Sequence, residues 1–149
     1  MLPSEYSVRL QKGIVGFGPP IPDHIYTVKR LKDELEITSE VRLDGAPKPK
    51  EVMRKYIKHD DHAEYLDEIY GILKSPLPTE KPPGSQDIYG MNTSIEWRSD
   101  DLQWQNGGPD GCEQGTSEEQ PSDKEKEKFK RAVKIVNWLV NDANGQRRL

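Results

Sequence analysis

Cysteine is nearly missing from this chain. Cys112 stands alone among 149 residues, which excludes an internal disulfide framework. It sits in an acidic, glycine-rich stretch with no cation nearby in sequence to stabilise a thiolate, which argues against a reactive thiol. Long apolar runs are also missing, and nothing approaches the roughly 18 residues that span a bilayer. Met1 to Glu5 lacks a basic start followed by an apolar stretch, so no secretory signal is expected and the cytoplasm is the expected compartment. There is no basic surplus either: a formal charge of −4 and a pI near 5.5 disfavour a general nucleic-acid binder. Hydrophobic residues make up only 32% of the chain and charged residues another 32%, so any core must be drawn from part of the sequence. Segments 75–87 and 107–123 hold few large apolar side chains. They read as flexible loops within a single domain spanning 1–149.

The chain does carry a strong alternation at residues 34–43. Leu35, Ile37, Val41 and Leu43 fall on one side of an extended strand, and Glu34, Glu36, Thr38, Glu40 and Arg42 on the other. This is the pattern of an antiparallel sheet with one dry face and one wet, charged face. Residues 6–11 alternate in the same way, and 24–31 supply a further strand joined to 34–43 by the turn Lys32-Asp33. Pairing Arg30 with Leu35 sets Val28 against Ile37, Tyr26 against Ser39, Lys29 against Glu36 and Thr27 against Thr38. Apolar and charged pairs thus agree on one register.

Residues 50–74 read as helical, either as two helices or as one with a break. Val52, Met53, Tyr56 and Ile57 form one stripe, and Ala63, Leu66, Ile69, Tyr70 and Leu73 a second, with an aspartate as the cap of the second helix. Residues 93–105 read as a hairpin pairing Trp97 with Leu102 and Ile95 with Trp104. Ser122-Asp123-Lys124-Glu125 fits a capping box ahead of a helix that carries Phe129, Ala132, Val133, Val136, Leu139 and Val140 on its apolar face. The expected fold is α+β: a single antiparallel sheet of four to five strands with helices packed on one face, in the order β-β-β-α-β-β-α.

Candidate chemistry is sparse. His59, Asp60, Asp61 and His62 are residue types that bind zinc or manganese. No H-E-x-x-H spacing accompanies them, and aspartates also suit a helix N-terminus. The glycines at 13, 16 and 18 are followed by Pro19-Pro20-Ile21-Pro22 and not by a helix, so they predict a turn, not a phosphate cradle. Trp97, Trp104 and Trp138 share faces with other apolar residues and read as core. Phe17, Ile21, Leu77 and Ile88 lack an evident strand or helix partner and read as exposed loop residues suited to contact.

These readings predict a non-catalytic protein-binding module, of the inhibitor, immunity or small regulatory kind, with no cofactor. Its expected contact residues are Glu34, Glu36, Glu40, Arg42, Phe17 and Ile21, and its expected partner is a protein, a basic one by charge complementarity, engaged through an acidic surface. Neither nucleic acid nor membrane is expected as a partner. A small metal-dependent hydrolase centred on His59–His62 and a structural subunit of a larger assembly are the competing readings.

Overall fold

The computed structural model describes residues 2–15, 22–42, 51–107 and 115–141, and for Glu51 the backbone alone. Eight elements follow in order: β1 (Tyr6–Lys12), β2 (His24–Leu31), β3 (Glu34–Val41), β4 (Glu51–Lys58), α1 (Ala63–Lys74), β5 (Thr93–Ser99), β6 (Gln103–Gln105) and α2 (Asp123–Asn141). The strands form one antiparallel sheet in the order β4-β3-β2-β1-β5-β6. The sheet therefore has six strands, where the sequence predicts four to five.

The additional strand is β4, for which the sequence predicts helix. Val52, Met53, Tyr56 and Ile57 satisfy a helical stripe, yet Val, Tyr and Ile equally favour a strand. Pairing decides between them. β3 has bonding groups to satisfy on the side away from β2, and β4 meets it residue for residue from Glu34↔Lys58 to Val41↔Glu51.

The β2–β3 hairpin has the expected register, including Val28↔Ile37, Lys29↔Glu36 and Thr27↔Thr38. Lys32 turns it with φ of 45°, the left-handed geometry that two-residue hairpin loops demand. The second hairpin differs from expectation by two residues. Trp97 faces Trp104, and Ser99 N–H donates to Leu102 O across a shorter loop. A shift of two preserves the faces, so Ile95, Trp97 and Trp104 stay on the buried side.

Period-2 alternation sends Tyr6, Val8, Leu10, Tyr26, Val28, Leu35, Ile37, Ile95 and Trp97 to a single face. There they join the apolar faces of α1 and α2 in one core. Tyr6 stacks on Trp97 with ring centroids 4.9 Å apart, and Tyr89 stacks on Phe129 at 4.1 Å. Trp97, Trp104 and Trp138 all lie in this core, as expected. The capping box also forms: Ser122 N–H donates to Glu125 Oε1 at 2.8 Å, and Glu125 N–H to Ser122 Oγ at 3.2 Å. Arg131 clamps α2 to α1 through both Glu68 oxygens, at 2.6 and 3.0 Å.

Segments 75–87 and 115–122, read from composition as flexible, are tied together and to the core. Leu77 and Ile88 are buried, not exposed as the sequence suggests. Gly115 N–H donates to Ser85 O, Glu118 N–H to Lys81 O, and Ser117 Oγ accepts from Lys81 N–H. At their centre lies Glu80, only 3% exposed, whose carboxylate accepts from Gly84 N–H at 2.7 Å and from Gly107 N–H at 3.1 Å. An acidic residue thus serves as an internal brace, because two backbone amides buried beside it need acceptors.

Two predictions follow from this packing. Glu80→Ala orphans both amides and should lower unfolding free energy by about 2 to 4 kcal/mol in urea titrations. Asp101 accepts from the Tyr70 hydroxyl and from Ser99, with Lys74 nearby, and these bonds hold its carboxyl below the ordinary value of 3.8. A depressed carboxylate stabilises the fold above its unfolded value, and that contribution disappears as pH falls through the folded value. Asp101→Asn should therefore lower the thermal midpoint at pH 7, and the difference from wild type should shrink as pH falls through the lowered folded value, beneath 3.8.

Candidate binding edge and open sheet face

The strand residues that do not enter the core fall on the opposite face of the sheet. Register places Tyr56, Glu36, Lys29, Ser7, Arg98 and Gln103 in one row across it, and Arg54, Thr38, Thr27, Arg9, Glu96 and Gln105 in the next. Carboxylates and cations interleave. Glu36 stands between Lys29 and the Tyr56 hydroxyl, which donates to it at 3.1 Å, and Arg98 is bound to Glu96 at 2.9 Å. A concavity of about 1230 Å³ opens at one end of this face. Glu5, Asp33, Glu34 and Asp100 line it together with Lys29, Arg30, Lys32 and Arg98, so its rim balances acids and bases.

The residues singled out for contact fare unequally. Glu34 is exposed at the edge of the turn, opposite Lys58, while Glu36 and Glu40 are half-buried among their neighbours. Arg42 is held by Asp23 at 2.9 Å. Phe17, Ile21 and Cys112 lie outside the described residues. β3 is an inner strand: Glu34 lies across from Lys58 and Glu36 across from Lys29, each with a cation on one side, while Glu40 lies between Ile25 and Val52.

The histidine cluster is not a convergent site. His59 and His62 are both 5% exposed. His59 Nδ1–H points to the Asp60 carboxylate at 3.3 Å, which leaves Nε2 to accept from the Tyr6 hydroxyl at 2.9 Å. Burial raises the Tyr6 hydroxyl pKa, keeping that donor protonated. His62 Nδ1–H donates to Lys58 O at 2.8 Å, and the ring tilts against Trp138. His62, not an aspartate, occupies the N-cap of α1, with no side-chain capping bond. Among the described residues no group of three or more His, Cys, Asp or Glu side chains is placed to hold a metal. His24 stacks on Tyr26 at 4.3 Å, and burial lowers its pKa more than the Asp23 carboxylate raises it.

The feature that the sequence does not announce is β4 itself. It is eight residues long, lies at the end of the sheet, and exposes Val52, Met53 and Tyr56 by 57, 53 and 50%. His59 N–H donates to Asp33 O, so in the alternation of an antiparallel ladder Ile57, Lys55 and Met53 exchange bonds with β3. The N–H and C=O groups of Val52, Arg54 and Tyr56 therefore point away from the sheet. At Lys58 only the N–H does so, since His62 has taken the carbonyl. The opposite edge, β6, has only three residues and offers far less. Long edge strands with exposed apolar side chains are hazards that proteins normally blunt.

In comparisons with known proteins, the chain matches no family model and no curated sequence.

If the exposed β4 residues serve contact and not folding, their removal should be almost silent for stability. The triple variant Val52→Thr, Met53→Thr, Tyr56→Thr should change unfolding free energy by under about 1 kcal/mol in chemical denaturation.

Proposed function

We propose that this protein is a non-catalytic binding module for another protein, of the inhibitor, immunity or small regulatory kind, and that it works through the uncovered side of its sheet. The observation that carries this reading is the β4 edge: outward backbone donors and acceptors beside exposed Val52, Met53 and Tyr56. Backbone pairing at such an edge supplies affinity, and alternate side chains supply selectivity. The contact surface is centred on β4 and the adjoining row of the open face. Glu34, Glu36 and Glu40 act there as neighbours that set local charge.

A metal-dependent hydrolase at His59 and His62 has less support, because the two rings bind different partners, the Tyr6 hydroxyl and the Lys58 carbonyl. A structural subunit would use the same edge for self-association, which sedimentation can detect.

Tyr56→Pro provides the test. It removes an outward N–H at an edge position while leaving every β3–β4 backbone bond in place, and the Tyr56→Thr variant controls for loss of the hydroxyl bond to Glu36. Captured from native lysate at low and moderate salt, a stoichiometric partner should be retained by wild type and by Tyr56→Thr, and lost by Tyr56→Pro with unchanged circular dichroism. A partner held equally by all three, or none held by wild type, would refute the reading.

A further inference from the structure

Accepting that β4 is a contact edge, we infer that its occupant is an extended acidic segment of a partner protein, added antiparallel as a seventh strand. Arg54 and Lys58 are exposed, lie on the same face and are four residues apart, roughly 13 Å along a strand. Among the described residues neither makes an ion pair. On their β3 side they already look toward Thr38 and Glu34. A strand on their free side with carboxylates at the same spacing would complete the pattern, since opposite charges directly across a pair are favourable.

The segment's pattern follows from register. Residues opposite Lys58, Tyr56, Arg54 and Val52 share the open face, so in an antiparallel partner they read acidic, apolar, acidic, apolar at every second position from its N-terminus. The intervening residues fall on the helix-covered face, beside Met53 and Ile57, and should be apolar or neutral. The addition ends at Lys58, because its carbonyl is occupied by His62. The occupied length is thus about seven residues, from Val52 to Lys58. An antiparallel direction continues a sheet in which every pairing is antiparallel.

A second copy of the chain fits less well. Two-fold antiparallel pairing of β4 with itself must match open face to open face, so paired residue numbers sum to an even value. The two registers that pair most of the strand then set Arg54 against Arg54 or Lys55 against Lys55, and like charges directly opposite are unfavourable. Nucleic acid fits less well too. On the open face the cations of β4, Arg54 and Lys58, form a single row with Glu34, Glu36 and Glu40 on the strand behind it, and a phosphate backbone would meet those carboxylates.

The test uses the whole protein and a fluorescein-labelled octapeptide, Ser-Glu-Leu-Val-Thr-Glu-Leu-Val, read by fluorescence anisotropy at low salt. Saturable binding by wild type is expected, together with loss of at least tenfold in affinity, on the order of one decade, in Arg54→Glu/Lys58→Glu. Binding should also disappear in Tyr56→Pro and for the peptide with lysine in place of glutamate. Equal affinity in the charge-reversed protein, equal affinity for the lysine peptide, or no binding by wild type overturns the inference. So does a wild-type dimer that Tyr56→Pro dissociates. If a lysate partner is lost by Tyr56→Pro yet retained by Arg54→Glu/Lys58→Glu, the binding-module reading survives and the acidic-segment inference falls.

Discussion

A sheet with helices against one face must leave the other to water, and that constraint orders this molecule. Each strand places alternate residues on each side, so every apolar residue committed to the core fixes a polar one on the open face. The core then depends on aromatic packing from several elements. Tyr6 on β1 stacks on Trp97 of β5, Tyr70 of α1 tilts against the same indole, and Phe129 of α2 meets Tyr89 and Trp104. These contacts lie between elements far apart in sequence, so the sheet and both helices are stabilised together.

The open face has a different balance. Charges there are interleaved across strands, which keeps the face wet without building a strong field of either sign. The edges differ from one another: β6 is cut to three residues, while β4 runs the length of its neighbour. An uncapped strand carries outward N–H and C=O groups that bond water until another strand replaces it. The apolar side chains of Val52, Met53 and Tyr56 gain little from water, and a paired strand would cover them.

Several elements were legible in the residues themselves. The β2–β3 register followed from agreement between apolar pairs and charge pairs, and the α2 start followed from the reciprocal bonding of Ser122 and Glu125. The helix reading of residues 51–58 failed for a physical reason. At the end of the sheet Val52 and Met53 are both exposed although they lie on opposite faces, so alternation is weak there and a chance 3–4 spacing is not penalised. Segments 75–87 and 115–122 are loops, as composition indicates, but composition gives no sign of what ties them to the core. Their order comes from hydrogen bonds to backbone groups and from the buried carboxylate of Glu80, and neither leaves a hydrophobic pattern to read.

By itself the sequence determined the fold class, the two-faced sheet, the first hairpin and the burial of the three tryptophans, because each rests on local periodicity or on pairs a turn apart. Tertiary structure alone decided which strand became the edge, where the carboxylates of β3 stand relative to cations, and that His59 and His62 bond in different directions. Those outcomes depend on neighbours brought in from distant parts of the chain. β4 is an edge because no described strand pairs with its outer side, and only the assembled sheet shows that.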